Sequence, residues 1–202
     1  MSVAHRRPRW PGLLALLLLL GTGSATAAQL RVDEAGLSPH EVAASRAVTD
    51  AVLERLPPAM RQTLADGVLI EWRADLPATV HGRVHGRRVR LDRALLQVPI
   101  DSPGLPRGSQ APHPALAALI HELAHVHDRS LRNALSGDPR LLDLAGWQVS
   151  PARLGLRRPV NAFTDRSPDL YELERPSEFV AVNLEHFLLD PAYACRRPAR
   201  HR

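Results

Sequence analysis

The sequence predicts a single α+β domain, and three observations carry that prediction. Apolar residues recur at helical spacing in three segments, over 38–56, 114–128 and 176–188. Between the first two, residues 68–91 carry strand-like runs broken by a glycine turn. The order of elements is helix, small sheet, long helix, irregular segment and helix, which reads as one α+β domain. A length of 202 residues suits one domain, and 45% hydrophobic with 23% charged residues excludes a wholly disordered chain. Aromatics make up only 4%, so the core is built mainly from Leu, Val and Ala.

Residues 1–27 read as an address rather than as part of the fold. Arg6, Arg7 and Arg9 precede the apolar run Leu13 to Leu20, and small residues follow, with Ala25 and Ala27 placed for cleavage after Ala27. Eight helical residues rise about 12 Å, far less than a bilayer core requires, so the run is a signal peptide and no stable membrane anchor remains after cleavage. The Arg6-Arg7 pair is a weak twin-arginine signal, because Pro8 and Arg9 follow it. The expected location is periplasmic or secreted. Loss of three Arg and no acid lowers the net charge from +5 to +2, which is no nucleic-acid footprint. The run Arg87-Arg88-Val89-Arg90 reads as a solvated strand face. All 26 basic residues are Arg, and the lone Cys195 excludes both an intramolecular disulfide and a cysteine-based zinc cluster.

The elements follow in order. Ser38-Pro39-His40-Glu41 is a capping box with Pro at the first helical position, and the helix it opens stops before Pro57-Pro58. A short helix over Ala59 to Ala65 ends at Asp66-Gly67. Val68 to Trp72 reads as a buried strand, Thr79 to Leu91 as a hairpin turning at His85-Gly86, and Asp92 to Gln97 as a helical turn. Residues 98–114 are a Pro-rich surface loop. The long apolar helix 114–128 comes next, then an irregular stretch from Asn133 to Asp169 interrupted by the apolar Leu141 to Trp147. A last helix opens at Pro176-Ser177 and ends before Pro191. Residues 28–110 thus form an N-terminal half with helices and a small sheet, 111–192 a second half, and 193–202 a tail.

The chemistry lies in PALAALIHELAHVHD. Leu116, Leu119, Ile120 and Leu123 give the helix a buried face, while His121 and His125, four residues apart, are offset by only about 40°. Both imidazoles reach one ion, and Glu122 stands beside the first, where it can contact a water on that ion. This H-E-x-x-H pattern suits Zn2+, which takes nitrogen and oxygen ligands and in catalytic sites keeps one position for water. Glu122 is then the general base. His127 lies well around the helix and reads as a surface or packing histidine. Asp128, one turn past His125, is placed to orient a ligand imidazole through its second nitrogen. A metzincin is excluded, since Asp128 and Leu131 stand where Gly and His are required. The third protein ligand comes from a later segment: Glu178 in the first turn of the last helix, Glu185 seven residues on, or Asp165 or Asp169.

Residues 118–189 resemble the gluzincin metallopeptidases, most closely the anthrax lethal factor catalytic domain family. That family shows H-E-x-x-H-x-x-D, then a Tyr seven residues before the Glu of an E-F-F-A-E-x-F helix. Here the corresponding residues are His121, Glu122, His125, Asp128, Tyr171 and Glu178-Phe179-Val180-Ala181. The resemblance implies a zincin-like domain, in which a small sheet packs on the H-E-x-x-H helix and a C-terminal helix supplies a ligand. It implies His121, His125 and Glu178 as ligands of one zinc, Glu122 as general base and Tyr171 as donor to the oxyanion. It also implies that a sheet edge holds an extended peptide or protein substrate. The chain departs from the pattern at the second helix acid: position 182 is Val, with Asn183 and Glu185 just beyond. The tail LEHFLLDPAYACRRPA is similar to those of small exported bacterial zinc proteases.

The expected activity is exported, zinc-dependent peptide-bond hydrolysis. Two rivals stand beside it. One is a zinc-binding scaffold without proteolysis. The other is a zinc amidase acting on cell-wall peptides, for which Arg166 and Arg175 are the candidate carboxylate contacts.

Overall fold

A computed structural model of the chain describes residues 28–98, 113–144, 147–149, 154–157, 172 and 174–189. The expected signal peptide, nearly all of the Pro-rich loop and the tail 193–202 lie outside the described residues. The elements in chain order are β1 (Leu30–Asp33), α1 (Pro39–Arg55), α2 (Pro58–Thr63), β2 (Val68–Arg73), β3 (Gly82–His85) and β4 (Arg88–Asp92). A 3-10 turn (Arg93–Gln97) follows, then α3 (Pro114–Ser130), α4 (Pro139–Leu144), β5 (Trp147–Val149), β6 (Leu154–Arg157) and α5 (Pro176–Leu189). The class is α+β.

Among the described residues, four strands form one mixed sheet in the order β1-β2-β4-β3. β1 and β4 both run parallel to β2, while β3 returns antiparallel beside β4 and forms an edge. Gly86 makes the tight β3–β4 turn at φ +60°, the left-handed backbone such a turn needs at its first central residue. One sheet face presents Val68, Ile70, Trp72, Val89 and Leu91 to the core, and the other carries Glu71, Arg88 and Arg90 outward. The alternation follows from the two-residue strand period.

Helices α1, α2 and α3 cover the apolar face. Val48, Val52, Leu56, Met60 and Leu64 meet Leu116, Leu119, Ile120 and Leu123 in one cluster with the strand residues. The α1 capping box forms as expected, with the Ser38 side chain accepting from the Glu41 backbone and the Glu41 side chain accepting from the Ser38 backbone. Arg93 then closes on Glu41 with two hydrogen bonds of 2.6 Å, tying the start of α1 to the turn after β4. Deeper in, the Trp72 indole N–H donates to Ser45 Oγ at 2.6 Å. Helix α3 is capped by the His113 ring, starts with Pro114 and packs along α5.

The structure departs from expectation in three places. β1 carries no strand signal of its own, because its four residues gain their ladder only by pairing with β2, about forty residues downstream. Within the segment read as irregular, α4 and the antiparallel pair β5–β6 form. The short helix α2 starts and ends slightly earlier than the spacing suggested, at Pro58 and Thr63. No helix among the described residues is long and apolar enough to cross a membrane.

Candidate metal centre

The long helix does what its apolar stripe dictates: it buries Leu116, Leu119, Ile120 and Leu123 under the sheet. The residues on its flank are thereby aimed at α5. Helix α5 is apolar at Phe179, Val180, Ala181 and Val182, and burial of that surface brings its first turn against the middle of α3. Glu178, in that first turn, is consequently held 8% exposed between two imidazoles.

Glu178 Oε2 lies 3.2 Å from His121 Nε2 and 3.1 Å from His125 Nε2. The two rings stand edge to face, with centroids 5.0 Å apart. Behind His121, Glu185 Oε2 lies 3.2 Å from Nδ1. Each ring nitrogen of His121 therefore faces a carboxylate. With Nδ1–H donating to Glu185, a neutral ring offers a lone pair at Nε2, directed at the acceptor oxygen of Glu178. Such a convergence of acceptors calls for a positive charge between them, either a proton or a metal ion.

The local pKa shifts report the same demand. Burial disfavours a charged His121, but the Glu178 and Glu185 carboxylates outweigh it and raise the imidazole to about 9. Burial likewise opposes charge on Glu178, and hydrogen bonds from His121 and His125 override it, holding that carboxyl down at about 2. Glu122 is 7% exposed, and burial pushes its carboxyl above the ordinary range.

The donor set fits a metal ion. One atom from each of His121, His125 and Glu178 lies within 4.8 Å of the other two. Tetrahedral zinc with bonds near 2.0–2.1 Å separates neighbouring ligand atoms by about 3.3 Å. The two Glu178–imidazole spacings, 3.2 and 3.1 Å, match that edge. These three residues can hold a metal ion, and Glu122 lies beside them on the same helix, packed against Gly82 of β3.

The other site expectations divide. Glu185, a possible third ligand on spacing, stands behind His121, and Glu178 fills the position among the ring nitrogens. Asp128 does not reach an imidazole. Its Oδ1 accepts the backbone N–H groups of Leu135 and Ser136 at 3.0 and 3.2 Å. The cause is the sharp turn after α3, where Arg132 and Asn133 take left-handed φ of 57° and 59° and bring those amides over the carboxylate. The place behind an imidazole expected for Asp128 is taken by Glu185. His127 packs, as expected, with Nδ1 2.7 Å from Thr63 Oγ1. Arg175 is exposed, and its carbonyl accepts from the Phe179 N–H at the start of α5. Tyr171, Asp165, Asp169, Arg166 and Cys195 lie outside the described residues. Sequence reasoning missed Gly82; an isolated glycine within a strand pattern was the available signal.

Searches of curated proteins and of solved structures find no match. A family model described as a domain of unknown function, DUF7844, matches residues 29–133 and 129–202. Those matches span both the sheet with the long helix and the helix that carries Glu178, and the chain belongs to the DUF7844 family.

Proposed function

We propose that the chain is an exported zinc-dependent metallopeptidase of the gluzincin type, with a zincin-like arrangement of sheet, H-E-x-x-H helix and ligand helix. The observation that carries the proposal is the meeting of His121, His125 and Glu178 beside a buried Glu122. Two imidazoles and one carboxylate form a donor set suited to catalytic zinc. Export is supported by the leader-like residues 1–27 and by a family match that begins at residue 29.

His121, His125 and Glu178 would hold the ion, with Glu185 fixing the His121 tautomer through Nδ1. A bound zinc supplies Lewis acidity to a carbonyl oxygen and lowers the pKa of water towards about 7. Glu122 takes the proton from the attacking water and delivers it to the leaving amine nitrogen as the C–N bond breaks. Tyr171 is the proposed donor to the oxyanion. Strand β3 supports an extended substrate, because its second edge pairs with no strand among the described residues.

The test is hydrolysis of a peptide library by the zinc-loaded protein, with Glu122→Gln as comparison. Cleavage by the wild type, with zinc retained and cleavage lost in the variant, is the expected result. A zinc-loaded wild type that cleaves nothing overturns the peptidase reading and favours the scaffold.

A further inference from the structure

Gly82 opens β3, on the sheet edge that lies against α3. A glycine within a strand weakens it relative to Ala, so its presence asks for a reason. Conformation is not that reason: among the described residues the positive-φ glycines are Gly36, Gly67 and Gly86, and Gly82 keeps a backbone open to any residue. Space is. A Cβ built on Gly82 would lie 2.6 Å from Glu122 Oε1, 2.7 Å from Cγ and 3.0 Å from Cδ. Three atoms of one side chain occupy the volume that any other residue would fill.

From this contact we infer that Gly82 is a positioning residue for Glu122: the bare backbone of β3 is the wall against which the acid is set. The inference rests on the peptidase reading above for its catalytic consequence. The wall itself is rigid. Gly82 is paired with Leu91 in the β3–β4 ladder, and two residues along, the Val84 carbonyl accepts from Arg129 on α3 at 3.3 Å. β3 is thus held to both the sheet and the helix around the point where Glu122 passes. On the helix side, Leu119, Ile120 and Leu123 are fully buried, so α3 cannot retreat to make room. A methyl group at position 82 must therefore be answered by Glu122. To reach an ordinary 3.4 Å contact, Oε1 has to move by about 0.8 Å. Misplacement of a reacting group by about 1 Å costs on the order of 100-fold in rate.

The experiment is Gly82→Ala in the zinc-loaded full chain, with three readouts. Zinc stoichiometry and affinity are expected to stay within about twofold, since no ligand is touched. On a peptide the wild type cleaves, kcat is expected to fall about 100-fold with little change in KM. The Glu122 side-chain carboxyl 13C resonance, identified by its loss in Glu122→Gln, is expected to shift. Wild-type kcat together with an unmoved resonance overturns the inference. Where Gly82→Ala itself unfolds, Gly82→Ala in a Glu122→Ala background decides. Recovery of the fold confirms that the two side chains compete for one space, and continued unfolding overturns it. A shifted resonance in a protein whose wild type cleaves nothing leaves Gly82 as the wall for Glu122 while the peptidase reading fails.

Discussion

Glu185→Gln leaves all three candidate ligands in place and changes only what stands behind one of them. The carboxylate lies 3.2 Å from His121 Nδ1, and the two side chains are 17% and 13% exposed, so water screens the pair weakly. A hydrogen bond to a charged group in such a setting contributes about 1.5–3 kcal/mol. At about 1.4 kcal/mol per factor of ten, loss of the charge weakens zinc binding by about 10- to 150-fold. The 3.2 Å separation is long for a charge-assisted bond, and the amide oxygen of Gln still accepts from Nδ1–H. Both facts place the expected loss at the lower end, about tenfold, with Glu185→Ala weaker still. The assay is competition against a chromophoric chelator at neutral pH, with one zinc bound per chain in both proteins at saturation. Affinity for Glu185→Gln within twofold of wild type would refute the reasoning. So would complete loss of the ion, which would make Glu185 a ligand rather than a support.

Two further predictions concern the frame that sets the site. Ser45→Ala strands the Trp72 indole N–H in the core and is expected to cost about 1–3 kcal/mol in urea unfolding, whereas an unchanged midpoint would show that the 2.6 Å bond contributes nothing. The Arg93 guanidinium, with help from the Ser38 backbone and hydroxyl, holds the Glu41 carboxyl at about 2 against an ordinary 4.5. The folded state therefore binds this proton less readily than the unfolded chain, so the stabilisation is complete above about 4.5 and lost as pH falls towards 2. Melting temperatures across that window should flatten in Glu41→Gln, and an acid limb identical to wild type would contradict the assignment.

Much of this arrangement was legible in the sequence, for identifiable reasons. The capping box at Ser38 and the apolar stripe of 114–128 are local signals, and both helices form where those signals place them. The His121–His125 pairing follows from helical geometry alone. Glu178 could not be chosen from spacing, because its place depends on how α5 packs against α3, a contact between segments 53 residues apart. The same holds for Glu185. One turn after Glu178 stands the buried Val182, and the carboxylate behind His121 comes from the turn beyond it. Asp128 was misread because the left-handed pair Arg132 and Asn133, which folds two amides over it, carries no glycine to announce the turn. β1 and Gly82 were missed for a related reason. Each acquires its meaning from a partner remote in sequence, β2 for one and Glu122 for the other.

Every role proposed for this site depends on His121, His125 and Glu178 binding one zinc ion. The decisive measurement is the zinc content of the purified chain after metal-replete preparation, for wild type and Glu178→Ala. One zinc per chain in the wild type, lost or greatly weakened in the variant, is the predicted result. Undiminished zinc in Glu178→Ala, or none in the wild type, would contradict it.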